Sequence, residues 1–441
     1  MKAIVIGAGL AGTSAVITLR RPGCEVKLSE RGDRIGGRAE TLAKDGYLID
    51  TGCSAMTSAY TSYIALAKDA GVADRIAPAS SCVGFVRGDK VHEFDTKHML
   101  RDGVSGGILS LRAKLGLLKL FRDVFSARAK GMLNYNDLGK AAPIDNESVA
   151  QYALREFSGE INDYFCDPIV RIMLLANADQ VSKVEFFSGI ANILDAEMCS
   201  MRGGQQGFAQ LLAQHIPVAF KSPASSVMQD GKQVAVCWSG PQGECMERAD
   251  ACVLACHLDT AAAICPDYRA LLAPLAGSLR YTKAISVAIG ASVAVPGKGF
   301  VLFVPSCEER HIATLFLEHN KCADRAPAGH SLFTAYLEAG ASEASWQMSD
   351  EQIVARTLDY LYRLYPMLRG KVDMTHVKRW EKALPLMKIG GYQEVARLHQ
   401  RLDPAARIQL AGDYLSGAGQ NTAVDYGVKA ARNLINHQRL R

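Results

Sequence analysis

An α/β fold is predicted: one domain on a parallel, Rossmann-type sheet drawn from discontinuous segments, and a second α+β domain of mixed sheet and helices. Three observations predict it. Residues 2–6 form a short β-branched run that breaks directly into a glycine-rich turn, a helix and a second strand, which is a βαβ opening. From about residue 202 a helical stretch gives way to strands separated by turns. The chain closes on a strand, a Gly- and Ser-rich loop and a final helix. No internal repeat divides it.

Taken in order, the first strand leads to a helix over residues 13–19, a turn at Arg21-Pro22-Gly23 and a strand over 25–28. Residues 58–71 carry apolar positions at helical spacing. Strands are predicted at 83–87 and 90–94, around the Gly88-Asp89 turn. Residues 108–132 read as a long helix with six basic residues (Arg112, Lys114, Lys119, Arg122, Arg128, Lys130) against one acid, Asp123. The plain reading is a helix packed on one side and solvated on the other. The sharper one is a surface helix that leans on anionic lipid or gates a channel. Residues 146–176 read as mostly helical. Strands follow at 227–229, 233–238 and 251–255, with turns at Asp230-Gly231 and Pro241-Gln242-Gly243. A mixed region covers about 280–340, a helix runs over about 350–364, a strand is expected at 408–411 and the last helix from about Val424.

Composition excludes several classes. The 441 residues are 49% hydrophobic and 22% charged, which suits a globular protein and not a disordered or coiled-coil one. A net charge of +5 is too small for a dedicated nucleic-acid binder. The 12 Cys are scattered, with no paired metal-ligand spacing, so thiols in a reducing compartment and no metal are expected. Cys252 to His257 has an apolar middle and reads as a buried strand. No apolar run is long enough for a signal peptide or a membrane span, which makes a cytoplasmic protein the expectation.

The chemistry begins at Gly7-Ala8-Gly9-Leu10-Ala11-Gly12. Gly7 allows the turn off the strand, Gly9 admits a pyrophosphate to the backbone, and Gly12 lets the helix lie on the strand. The helix N-terminus then offers free N–H groups and a positive dipole end. Glu30 ends the second strand 18 residues beyond Gly12, where a carboxylate accepts ribose hydroxyls and repels a 2′-phosphate. Next comes Arg34-Ile35-Gly36-Gly37-Arg38. A second glycine pair between arginines suits a longer, doubly anionic dinucleotide lying extended, FAD and not NAD, with Arg38 placed to pair with its pyrophosphate or cover the flavin edge.

The run from Gly7 to Arg38 resembles the FAD-binding signature of the flavin amine oxidase and protoporphyrinogen oxidase superfamily. Three later segments are similar to its other motifs: 201–208 (MRGGQQGF), 380–385 (WEKALP) and 410–414 (LAGDY), the last followed by 423–430. The segment 145–182, with Pro168 and Ser182, looks more like the protoporphyrinogen oxidase branch. The resemblance implies that 1–80, 200–262 and 400–441 form the FAD-binding domain, and 81–199 with 263–399 the substrate-binding domain. It implies a cofactor set of Gly7, Gly9, Gly12, Glu30, Arg31, Gly37, Arg38, Val227 (at the adenine), Gly412, Asp413 (at a ribityl hydroxyl or the pyrophosphate), and Ala423 and Val424 (backbone N–H groups towards the flavin C2 carbonyl). Thr422 and Tyr426 stand where the family often has Gly and Ser, so Tyr426 is a candidate to reshape the site. No Cys lies in the C-terminal motif, so FAD is expected to be non-covalent.

The implied reaction moves a hydride from substrate carbon to the flavin, with oxygen the expected acceptor. The lysine that many amine oxidases hold near the flavin falls on Ile285. Lys283, two residues earlier on the same strand face, is the candidate substitute, and Trp380 and Tyr392 are candidates for a pocket wall beside the flavin. Arg171 is a candidate for pairing a substrate carboxylate. The first functional expectation is therefore oxidation of a C–C or C–N bond in a hydrophobic metabolite, protoporphyrinogen-oxidase-like. The alternatives are an amine oxidase releasing imine and hydrogen peroxide, and a non-catalytic lipid carrier of the GDP-dissociation-inhibitor type.

Overall fold

The computed structural model describes residues 1–98, 107–193, 196–240 and 243–438. Pro241 and Gln242, two of the three residues of the turn expected at 241–243, lie outside them.

A five-stranded parallel sheet runs in the order Val218–Ala219, Glu25–Ser29, Lys2–Ile6, Ala251–Leu254, Ile408–Leu410. Its central strands are buried on both faces, as a parallel sheet requires. Helix Leu10–Arg20 lies on one face and packs along the closing helix Gln420–Gln438. Close packing there depends on bare backbone. A Cβ on Gly427 would stand 2.1 Å from the Ala11 carbonyl oxygen. The closing helix starts at Gln420, four residues before the expected Val424.

An antiparallel three-stranded sheet, Ala224–Asp230, Gln233–Gly240 and Gly243–Ala249, flanks this layer. Its third strand is absent from the sequence reading. Most of its residues are exposed, so it carries no apolar alternation to betray it.

The second large sheet has seven strands, in the order Val372–Trp380, Ala284–Ala291, Ser331–Leu337, Ile312–Leu317, Val301–Phe303, Cys82–Arg87, Lys90–Asp95. All pairings are antiparallel except Val301–Phe303 against Cys82–Arg87. Successive side chains alternate between its faces. One face, with Ile285, Val287, Leu302, Leu315 and Leu337, packs with Ile353, Tyr360 and Leu361 of helix Asp350–Leu364. The other, with Val83, Ala284, Val301, Phe316 and Tyr336, looks towards the first sheet.

Helices cover the open side of that face. Leu111–Ala129 is capped by the Ser110 hydroxyl and packs through Ala113, Leu120, Val124 and Ala127. Val149–Glu156 and Asp167–Leu174 are joined through a π-helical turn, and Lys183–Ile193 follows. Among the described residues no helix is long and apolar enough to cross a membrane.

Candidate active site

A single cavity of about 1230 Å³ runs between the two sheets. At one end its wall is Gly7, Gly9, Leu10, Ala11, Glu30, Arg31, Gly36, Gly37 and Arg38. Gly7 has φ +102°, and a Cβ there would meet the Ala255 carbonyl oxygen at 2.5 Å. A Cβ on Gly12 would stand 1.8 Å from the Gly7 oxygen, so helix and turn touch backbone to backbone. Gly9 is different. The nearest atom to its Cβ position is 3.9 Å away, so this glycine keeps space open and is not needed for packing.

The second glycine pair folds back onto the first turn. Gly36 N–H donates to the Ala8 carbonyl at 2.8 Å, and Gly36 and Gly37 both take positive φ. Arg34 fixes this loop through the Gly37 carbonyl and Glu40. No side chain caps the N-terminus of helix Leu10–Arg20, so its first N–H groups are left for a ligand. Glu30 accepts from the backbone N–H of Ala8 (2.8 Å) and Gly32 (2.7 Å) and retains lone pairs for further donors.

The far side of this end is built by Ser222, Pro223 and Ala224. Val227, expected at the adenine, is fully buried and off the cavity wall. Strand alternation turns its side chain into the core, opposite Val236.

Midway, Asp413 meets Arg38 at 2.8 Å, and Arg38 also donates to the Ala383 carbonyl. Burial opposes the Arg38 charge, but Asp413 outweighs it and raises the guanidinium above its ordinary value. Gly412, Thr422 and Ala423 share this wall, while Val424 packs into the core behind it. Tyr426 is away from the wall and bonds to Asn136 and His399, so it does not reshape the site. Trp380 is on the wall, pinned by its indole N–H to the Thr51 carbonyl at 2.9 Å.

The loop bearing Gly52, Cys53 and Ser54 also faces the cavity, and buried charges brace it from behind. Lys321 donates to Ser54 Oγ at 2.6 Å and pairs with Asp50 and Glu318, while Arg325 pairs with Asp50. Burial alone would raise the Asp50 carboxyl, but Lys321 and Arg325 hold it below the usual range. His257 lies on the wall against Tyr281. Burial, then Arg38, pushes its imidazole down to about 4, so it is neutral at pH 7.

The remaining half of the cavity is an apolar chamber. Phe85 and Phe303 stack at 4.5 Å on the seven-stranded sheet, with Phe316 beside them. Leu117, Leu118 and Phe121 of helix Leu111–Ala129, and Ile169, Ile172 and Met173 of helix Asp167–Leu174, close it.

Three sequence candidates fall outside it. Lys283 stands over the Trp346 ring at 4.6 Å; alternation gives the cavity Ala284 and sends Lys283 and Ile285 to the opposite face. Tyr392 is fully buried behind the wall and donates its hydroxyl to Glu185. Arg171 is fully buried and occupied by Asn177, Glu309 O and Ile312 O, which leaves it no role at a substrate. Sequence reasoning missed Glu185, which is on the wall and 4% exposed.

The family model for flavin containing amine oxidoreductases matches residues 10–435. The chain belongs to that family. It is 22% identical to coproporphyrinogen III oxidase of Bacillus subtilis, over 98% of each chain. It is 21% identical to protoporphyrinogen oxidase 2 of Arabidopsis thaliana, over 98% of this chain and 93% of that one. Among solved structures, cyclohexylamine oxidase of Brevibacterium oxydans shares the fold with a TM-score of 0.78 at 17% identity, covering 100% of this chain and 99% of that one. This flavin-containing oxidoreductase uses FAD and acts on C–N or C–C bonds. The site fits that cofactor: the uncapped helix start and the space at Gly9 suit a diphosphate, and the cavity continues far enough for a second ring system.

Proposed function

We propose that this chain oxidises a large macrocycle of the porphyrinogen class, its carbon framework held by the apolar chamber, with oxygen taking the electrons afterwards. The observation that carries the reading is the chamber, whose stacked Phe85 and Phe303 and apolar opposite wall suit a broad ring system better than a small amine. The porphyrinogen names of the two full-length relatives support it.

In this reading FAD supplies a two-electron acceptor that takes a hydride from substrate carbon. The protein's own groups hold the reactants. Glu30 accepts the adenosine ribose hydroxyls, with Arg31 beside it and Ser222 to Ala224 along the adenine. Gly7, Gly9 and the N-terminus of helix Leu10–Arg20 receive the pyrophosphate, and Gly12 lets that helix seat. Gly37, Arg38, Gly412 and Asp413 grip the middle. Trp380 and the backbone at Ala423 and Val424 flank the flavin, and apolar walls exclude water from the reacting carbon. Segments 1–80, 200–262 and 400–441 then serve the cofactor, and 81–199 and 263–399 the substrate. With no Cys in 408–438, attachment is non-covalent.

We also place the protein in the cytoplasm, at a membrane surface. Leu111, Leu115, Leu118 and Phe125 are 74%, 61%, 67% and 47% exposed along one helix, with Arg112, Arg122 and Arg128 nearby. Leu118 also lines the chamber, so this helix would set the chamber against that surface.

The test is anaerobic reduction of the FAD-loaded protein. Bleaching by coproporphyrinogen III and not by cyclohexylamine is expected. Reduction by the amine, with peroxide released in air, would replace this reading by the amine-oxidase one. A preparation that takes up no flavin would return the lipid-carrier alternative.

A further inference from the structure

Cofactor binding gives Glu185 no task, yet its placement is specific. It lies in the first turn of helix Lys183–Ile193, nearly buried, and is one of the residues that line the cavity. Among the described residues no cation pairs with it, and its one hydrogen-bond donor is the Tyr392 hydroxyl. The Cβ position of Gly417 is 3.5 Å from both Glu185 Oε1 and Tyr392 Oη. Glu185 therefore stands beside loop 416–419, which carries Ala418 and Gly419 onto the wall just before the closing helix.

The surrounding charges are otherwise engaged. Asp145, from the segment before helix Val149–Glu156, accepts from Ser182 Oγ at 2.6 Å and Tyr392 N–H at 2.9 Å. Asp413 is held by Arg38. Tyr135 lies on the same wall, its hydroxyl pushed up by burial and then by Tyr60 and Glu185. Burial pushes the Glu185 carboxyl up to about 7; the Tyr392 hydrogen bond pulls it down, and Asp145 and Asp413 push it up. A carboxyl so poised both takes and gives protons near neutrality.

We propose that Glu185 is the proton-exchanging group of the chamber, taking the proton that substrate loses as its hydride departs. This rests on the oxidoreductase reading above. In the step, a substrate C–H bond breaks and its electron pair leaves as hydride to the flavin, which is reduced by two electrons. A neighbouring N–H or C–H bond also breaks. Its electrons become the second bond of C=N or C=C, and its proton forms an O–H bond on Glu185. Tyr392, behind the wall, is a positioning residue that orients the carboxylate.

The experiment compares FAD-loaded wild type with Glu185→Gln, which keeps shape and an acceptor for Tyr392, and with Tyr392→Phe. Infrared difference spectra stepped through neutral pH need no substrate. A protonated-carboxyl band titrating near pH 7 is expected in wild type and absent in Glu185→Gln. In Tyr392→Phe it moves to higher pH, because the lost donor favoured the ionised form. With whichever of the two probes above reduces the flavin, Glu185→Gln should lose the acidic limb of the kcat/KM profile and fall roughly 100-fold or more. A spectrum unchanged in Glu185→Gln, or an acidic limb that survives the substitution, overturns the proposal. Failure of both probes to reduce the flavin counts against the substrate reading alone, since the infrared comparison still decides the titration of Glu185.

Discussion

Arg38 and Asp413 are 375 positions apart in the chain and 2.8 Å apart in space. Their contact ties the second glycine turn to the C-terminal motif across the cavity. Asp413→Ala would strand the guanidinium. Arg38 keeps some exposure to the cavity, so the loss should fall below the ~3–5 kcal/mol of a fully buried pair, at about 2 kcal/mol. A lower urea midpoint of the apoprotein, together with reduced flavin content, checks this. Asp413→Asn should recover part of the stability through its amide oxygen.

The glycines of the first turn separate packing from binding. Gly12→Ala puts a methyl group into the Gly7 carbonyl and should abolish folding of the turn, read as a large loss of thermal stability without cofactor. Gly9→Ala meets nothing closer than 3.9 Å and has φ −75°, which alanine adopts freely. That variant should melt like wild type without FAD yet fail to bind it. Normal FAD binding by Gly9→Ala would move the diphosphate elsewhere.

Glu30→Ala should weaken FAD by roughly 10- to 150-fold, the range of a charge-assisted hydrogen bond. Flavin fluorescence titration measures it directly. An unchanged Kd would show that the ribose does not reach this carboxylate.

The exposed stripe on helix Leu111–Ala129 predicts binding to vesicles containing anionic lipid, strong at low salt and weaker at high salt. Replacing Leu111, Leu115 and Phe125 by Gln should abolish co-sedimentation while leaving FAD content unchanged. Equal pelleting of wild type and the triple variant would assign these residues another partner.

What the sequence discloses is what local chain geometry determines. A strand, a glycine turn and a helix in immediate succession can do little else, and Glu30, Arg38 and Asp413 follow from that frame and from the family resemblance. The chamber is another matter. Phe85 and Phe303 look like ordinary core residues on two short strands until the sheet brings them together. Glu185 reads as a commonplace acid in the first turn of a helix, favoured there by the dipole. Its burial depends on Tyr392, 207 residues away. Lys283 and Tyr392 show the reverse limit. Position along a strand or motif says how near a residue comes, but only the face it occupies decides whether it arrives.

Lys114, Leu117, Leu118 and Phe121 reach the chamber from one unbroken helix that contributes nothing to the nucleotide loops. In the proposed reading, choice of substrate and grip on cofactor are thus written in different stretches of the gene. Exchanging that helix between relatives is a modular way to change what the enzyme accepts, with the redox machinery inherited whole.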